Sequence, residues 1–473
     1  MEPREPSLEE LFALVKELRG RVAELERCNA RLLHDNEQLR RELDEFKRNK
    51  PPSPPPWFIQ PPPPRGKRKK PGRPQGHPPA LRPPPQEIHQ EIEVPLASEG
   101  GACLCPHCRG ELSGLKDHQR VVEDIVPAKV VSTRYHTSSG FCKHCKRRVE
   151  SRHPQQPPAA DLPHAQLGLN ALATAAVLKH DAGLPYRKVC RVLDDLCRLS
   201  VSPGALPKQM RRVSQWLADP YQGIKSALQE SPVVHADETG APVDGKNQWL
   251  WTLTSPLHTL FHLDEGRGGK VVLELLGEKF DGHLVSDFFS AYNTLPYKQQ
   301  KCNVHLLREI KQTGERNPDF AKSPFARRLK RLVKEMLALK KRWNELDDAT
   351  YMRRACRLHD RLEELGKTVW DDHDVNRLAK RISRHANAIC AFLYEENLPG
   401  ENNAAERALR PAVVIRKISG GHRGASTAKA SAVITSILRT ARQQGRHLMD
   451  TVKQLVDCHL AGQPTDLLTS TSG

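Results

Sequence analysis

VVHADETGAPVDGKNQWLWTLTSPLHTLFHLDE, residues 233–265, is the stretch from which the fold is read. Its β-branched and aromatic residues fall in three short runs separated by turn residues. VVHAD reads as a first strand, Asp244-Gly245 in APVDGKN as a hairpin turn, WLWTLTS as a second strand, SPLH as another turn and TLFHLDE as a third strand. The pattern is an antiparallel meander. Downstream, GGKVVLELLGEKF has a helical pattern, and HLVSD after the Gly282 break reads as a fourth strand. A strand reached through a helical crossover can lie parallel to strand one and beside it. Asp237 and Asp287 are then expected at the carboxyl ends of adjacent parallel strands, where ligands gather in open α/β sheets.

Two carboxylates held this close repel each other, and divalent ions relieve the repulsion while recruiting phosphate oxygens. In two-metal phosphoryl transfer the ions sit about 4 Å apart, one activating the attacking oxygen and the other stabilising the leaving one. A third carboxylate completes such a cage. Asp264, Glu238 and Glu265 are nearby acids whose neighbours do not place them at a parallel strand end. Plain structural roles stand beside the catalytic ones. Asp237 can be a solvated strand end, Asp287 an N-cap for a helix starting at Phe288, and Glu406 a capping-box glutamate with Asn403 as N-cap.

HADETGAPV, GHLVSDFFSAY and ENNAAERALRPAVVIRKISGG resemble the three acidic motifs of the insertion sequence 66 family of transposases, and the resemblance covers nearly the full chain. It implies an α/β RNase H-like core with a helical insertion, preceded by a coiled coil and a four-cysteine zinc module. It further implies that Asp237, Asp287 and Glu406 are the catalytic carboxylates of a DDE-type enzyme that cleaves the ends of a mobile DNA element and joins them to target DNA. The ions would be Mg²⁺ or Mn²⁺. CNVHLLREIK, with His305 and Arg308, corresponds to the family's cysteine-histidine-arginine stretch, with Asn303 and Val304 where an aromatic is more often expected. Arg267 in LDEGRGGK also fits the family and can meet a DNA phosphate or cap a helix. Accessory proteins of the same element and a place at the bacterial nucleoid are further implications.

Residues 313–398 read as a helical insertion between the first part of the core, 230–312, and its closing part, 399–460. Its amphipathic helices are rich in Arg and Lys, so one face can pack while the other follows a DNA backbone or is simply solvated. Arg407, Arg410, Arg416 and Lys417 surround Glu406 with positive charge suited to phosphates. TAKASAVITSILRTARQQ and HLMDTVKQLV read as packing helices, and 461–473 as a frayed tail.

Upstream, 160–225 is helical, and its helices either form a helix-turn-helix that reads DNA or pack on the core. Residues 89–155 hold CPHC at Cys105 and Cys108 and CKHC at Cys142 and Cys145. Four thiolates satisfy Zn²⁺ completely and leave no open position, so the role expected is structural, with Cys103, His107 and His144 as competing ligands. Residues 49–88 form a Pro-rich basic linker; sixteen of the chain's 38 prolines fall within 51–88. With only Trp57, Phe58 and Ile59 clustered, this stretch is an extended tether. Within it Lys67, Arg68, Lys69, Lys70 and Arg73 form either an AT-hook-like minor-groove contact or a plain basic segment. Residues 7–48 carry a heptad repeat, with Leu11, Leu18, Leu25, Leu32, Leu39 and Phe46 in one series and Asn29 and Asn36 in the other. Such a coiled coil pairs chains, and buried asparagines favour two strands.

Lys plus Arg outnumber Asp plus Glu by 74 to 56, a net charge of +18, as suits a partner that is a polyanion such as double-stranded DNA. No run of about 18 apolar residues and no secretory signal is readable, so a cytoplasmic protein without membrane contact is expected. Twelve cysteines then read as thiols or metal ligands. Two other functions remain open: a DNA-binding regulator whose core no longer cuts, and a structure-specific nuclease on the same fold.

Overall fold

The computed structural model describes residues 128–136, 138–151 and 167–465 continuously, together with scattered earlier positions. The basic segment 67–73 lies outside the described residues, as does most of the heptad repeat, whose described positions Arg21, Val22, Ala30, His34, Glu37, Gln38, Arg40 and Arg41 are helical. The chain divides into two compact units, Met1–Glu123 and Asp124–Gly473. In the first, β1 (Ser98–Glu99) pairs antiparallel with β2 (Ala102–Cys103), and the CPHC turn follows. The second opens with an antiparallel hairpin, β3 (Ser139–Cys142) and β4 (Arg147–Glu150), whose tip carries the CKHC turn.

The core sheet of the second unit contains β5 (Val233–Val243), β6 (Lys246–Thr254), β7 (Thr259–Asp264), β8 (His283–Ser286) and β9 (Lys298–Lys301), in the order β7-β6-β5-β8-β9. β5, β6 and β7 form the expected meander, β8 lies parallel beside β5, and β9 parallel beside β8. Asp244 (φ 49°) and Gly245 (φ 72°) both take the left-handed conformation that a two-residue hairpin turn needs. Strand one differs from expectation: pairing with β6 carries it past Asp237 to Val243. The fifth strand, KQQK, has no apolar alternation to announce it. Its buried polar groups are bonded instead, with Gln300 Nε2 donating to Ile389 O (3.2 Å) and Phe392 N–H donating to Gln300 Oε1 (2.7 Å).

Alternation along the strands sorts the two faces of the sheet. Val234, Ala236, Trp251, Leu253, Leu260 and Leu284 face a core shared with α1 (Leu169–Ala176), α2 (Tyr186–Cys197), α3 (Ala205–Trp216), α4 (Ala218–Gln229) and α5 (Gly269–Leu276). Trp251 is fully buried, edge-on to Tyr292, with its indole N–H donating to Gly266 O at 3.1 Å. Its truncation to alanine would cost about 3–5 kcal/mol. The helices of 160–225 therefore share one hydrophobic core with the sheet. The LNALATAAVLKH helix widens at its end into a π-turn, Val177–Asp181, that buries Lys179 and His180.

The other face carries α11 (Asn403–Ser419), whose Leu409 packs with Phe261. Along the β7 edge runs α12 (Ala425–Gln443). Its Ser436 and Thr440 hydroxyls accept the Phe261 and Thr259 N–H groups at 2.8 and 3.1 Å, blunting an edge that would otherwise be open to pairing. Gly421, between α11 and α12, has φ 100°, and a Cβ there would stand 2.6 Å from Pro242 O. α13 (Leu448–Leu460) closes the first core.

A second hydrophobic core gathers α6 (Asn303–Arg316), α7 (Pro318–Lys322), α8 (Pro324–Lys340), α9 (Asp348–Lys367) and α10 (His373–Cys390) around Phe320, Phe325, Leu332, Leu362 and Ile382, and reaches the sheet at Val285. Asn317, Ser323, Asp347 and Asp372 each cap a helix start with a side-chain oxygen. Among the described residues no helix is long and apolar enough to cross a membrane.

Candidate active site

The parallel pairing of β5 with β8 ends at His235 opposite Val285. Asp237 and Asp287 each follow two positions later, Asp237 still within β5 on the face over which α11 lies and Asp287 one residue past the end of β8. Asp237 is thus inside its strand rather than at the end, beside the point where its parallel neighbour stops. One oxygen of each aspartate is held locally: Glu238 N–H donates to Asp237 Oδ1 (2.9 Å) and Phe289 N–H to Asp287 Oδ1 (2.8 Å). Asp287 does not cap the helix expected from Phe288. The helical turn there is Ser290–Thr294, with Phe289 at its N-cap and no side-chain cap bond. Burial pushes the Asp237 carboxyl up to about 7, and the negative charges of Glu238, Asp287 and Glu406 push the same way.

Glu406 sits in the first turn of α11, over this face. The N-cap is Asn402, not Asn403, and it makes no side-chain cap bond, so the capping-box arrangement is absent. Glu406 Oε1 lies 3.5 Å from His305 Nε2 and 3.9 Å from Arg308 Nη2, both on α6. Glu406 Oε1 and His305 Nδ1 are buried without a hydrogen-bond partner. The three acids are within electrostatic reach of one another, yet among the described residues no group of three or more His, Cys, Asp or Glu is gathered tightly enough to hold an ion. Glu406 is turned toward α6 instead.

Glu238 follows Asp237 and so points to the opposite face. Its side chain is only 3% exposed and accepts Arg267 Nε and Nη2 (3.1 and 2.9 Å) and the Tyr292 hydroxyl (2.7 Å). The Arg267 guanidinium is stacked between Trp249 and Phe289, 4.2 and 4.1 Å from the ring centres. Arg267 therefore neutralises Glu238 rather than capping α5, whose N-cap is Gly268. Lys301, fully buried at the end of β9, donates to Ser286 Oγ (3.1 Å) beside Asp287, and burial pulls it down to about 8. The sequence reading missed this Glu238–Arg267–Tyr292 and Lys301 surround. The available signal was Trp249 and Phe289 flanking an arginine-containing loop.

Arg407, Arg410 and Lys417 lie on the exposed side of α11, whereas Arg416 Nη1 donates to Thr239 Oγ1 (3.1 Å). The cysteine pairs are folded alike. Arg109 and Lys146, each directly after the second cysteine, have φ 57° and 53°. The Cys108 and His107 N–H groups hold the Cys105 thiol below its ordinary range, and those of Cys145 and His144 do the same for Cys142. The first pair belongs to the first unit and the second pair to the second.

The fold and site define a mixed-sheet α/β protein with Asp237 in a strand, Asp287 just past the end of the parallel neighbour and Glu406 on a helix packed against the sheet. Residues 164–430, more than half of the chain, match the family model described as "Transposase IS66 family". The chain belongs to the IS66 family of transposases. Two proteins of Sinorhizobium fredii (strain NBRC 101917 / NGR234) are similar. "Uncharacterized protein y4jD" is 24% identical over 389 residues, covering 75% of this chain and 73% of its own length. "Uncharacterized protein y4qI" is 27% identical over 341 residues, covering 62% and 60%.

Proposed function

We propose that the chain is a DDE transposase that cleaves the ends of a mobile DNA element and joins them to target DNA, with Asp237, Asp287 and Glu406 as its catalytic carboxylates. The observation that carries this is that Asp237 and Asp287 each follow by two positions the last parallel pair of β5 and β8, His235 with Val285, while the Glu406 helix packs on β5. The sheet order, an antiparallel meander extended by two parallel strands, supports an RNase H-like core.

The donor set suits a hard divalent ion, Mg²⁺ or Mn²⁺: all oxygen, partly buried, mutually repelling, and with Glu406 Oε1 near His305 and Arg308 but without a hydrogen bond. When bound, such ions activate a water or 3′-hydroxyl and neutralise charge at the phosphate. The surrounding residues have separable tasks. Arg267 and the Tyr292 hydroxyl satisfy the Glu238 charge, and Lys301 keeps a buried amine bonded to Ser286 beside Asp287. His305 and Arg308 hold Glu406 while it carries no ion. Arg407, Arg410 and Lys417 meet DNA phosphates near the cut, Arg267 stays with Glu238 and is not one of these contacts, Arg416 supports the strand at Thr239, and Lys67, Arg68, Lys69, Lys70 and Arg73 add sequence-independent grip. Structural zinc on Cys105, Cys108, Cys142 and Cys145, pairing of chains through residues 7–48, accessory proteins of the same element and action on DNA in the cytoplasm belong to the same proposal.

The test supplies the purified protein with Mg²⁺ or Mn²⁺ and DNA carrying the flanking terminal repeats. Wild type should nick the ends and give joined products, whereas Asp287→Asn and Glu406→Gln should bind the ends without nicking. Normal cutting by Glu406→Gln would remove the third carboxylate from the site. Hydrolysis with no joined product would make the chain a nuclease on this fold.

A further inference from the structure

Asn402 stands one residue before α11 and is 1% exposed. An asparagine at a helix N-cap ordinarily turns its side chain back onto the first amides of its own helix. This one does not. Its Nδ2 donates to Ala236 O (2.7 Å), the carbonyl of the residue preceding Asp237, and its Oδ1 accepts from His235 Nδ1 (3.0 Å). Its backbone N–H donates to Cys302 Sγ (3.1 Å), at the head of the helix that carries His305 and Arg308, and its carbonyl accepts the Glu406 N–H (3.3 Å). Next to this knot, Asn303 N–H donates to Gly400 O (2.9 Å), pinning the turn that leads into Asn402.

One buried side chain thus bonds the strand at Asp237, and the same residue's backbone bonds the peptide of Glu406 and the start of α6. The sequence separations are large: Asn402 lies 166 residues from Ala236 and 100 from Cys302. Packing alone would let α11 slide by a fraction of a turn. Two hydrogen bonds of fixed direction to β5 do not.

We infer that Asn402 is a positioning residue that sets the spacing between Asp237 and Glu406, and so tunes how tightly the site takes a divalent ion. This rests on the reading of Asp237, Asp287 and Glu406 as the catalytic acids. Partners that orient ligand-bearing elements change metal affinity by about 10- to 100-fold when removed. Loss of Asn402 therefore acts on the metal requirement before it acts on the rate at saturating metal.

The experiment titrates Mn²⁺ in the nicking assay with full-length wild type, Asn402→Ala, Asn402→Asp and Asn317→Ala. Asn317 caps α7 and bonds Asp372 and Asp374, away from the acids, so its variant matches a loss of stability without touching the staple. Asn402→Asp keeps the acceptor for His235 but sets an oxygen against Ala236 O. Both Asn402 variants should bind end DNA as wild type does, should need about ten-fold more Mn²⁺ for half-maximal nicking, and should recover most of the rate at saturation. Asn317→Ala should lower Tm with no change in the Mn²⁺ midpoint. An unchanged midpoint in Asn402→Ala, or one that Asn317→Ala shifts equally, would overturn the inference. Hydrogen exchange separates the two ways of failing. If wild type never nicks, the functional reading falls and the inference with it. If wild type nicks but Asn402→Ala leaves exchange at amides 405–409 unchanged, the staple alone is wrong.

Discussion

Asp237 is the residue at which the account is most exposed to measurement. Its carboxyl, ordinarily at 3.8, is pushed up to about 7 by burial and by neighbouring acids. Between those values the folded chain holds a proton that the unfolded chain has lost, so metal-free stability falls as pH rises from about 4 to 7. At about 1.4 kcal/mol per pH unit the upper limit is ~4 kcal/mol, and relaxation should leave about 1–3. Asp237→Asn should accordingly be more stable than wild type by urea titration in EDTA at pH 8, and equal to it at pH 4. Added Mg²⁺ should raise the Tm of wild type and leave that of Asp237→Asn unmoved. Arg267 makes a second residue-scale prediction. Arg267→Ala strands the nearly buried Glu238 charge and should cost about 2 kcal/mol, less than for a fully buried pair because Arg267 is 44% exposed. Adding Glu238→Gln should restore much of this, whereas a DNA-binding role alone would leave stability untouched by either change.

At the scale of elements, the meander was readable because its three strands carry apolar alternation and its turns carry Asp244-Gly245 and SPLH. KQQK was not readable as a strand, because Gln300 and Lys301 are buried through hydrogen bonds to residues far along the chain, which no local pattern reports. The same limit applied at α11. Asn403 read as the N-cap, and the helix instead starts after Asn402, whose side chain is bonded to His235 and Ala236, some 166 residues away. The strands that carry or precede the two aspartates announce themselves by local pattern, while the Glu238–Arg267–Tyr292 cluster depends on which face each strand residue takes once β5 runs past Asp237. The cysteine pairs make an element-scale prediction. Purified protein should carry about one zinc per chain, and Cys142→Ser or a strong chelator should remove it and lower Tm.

For the whole molecule, one hydrophobic core joins the helices before the sheet to the helices after it, and a second joins the helices between Asn303 and Cys390 to the sheet at Val233 and Val285. The N-terminal signals are compositional, proline, heptads and cysteine spacing, and a pattern of that kind names a module without fixing its surroundings. The net charge of +18 gives the proposed binding to DNA a salt dependence that can be measured. If four to six phosphates are neutralised per bound end, log K against log salt should have a slope of about −4 to −5, and neutralising Arg407 and Arg410 together should make it shallower by about 2. The central claim is that side chains from a strand, a strand end and a helix converge to hold divalent ions. Its most direct test is anomalous diffraction from crystals soaked in Mn²⁺. The account predicts peaks bounded by the carboxylates of Asp237, Asp287 and Glu406, with Glu406 turned away from His305; Mn²⁺ bound elsewhere, or by the aspartates with Glu406 still against α6, would contradict it.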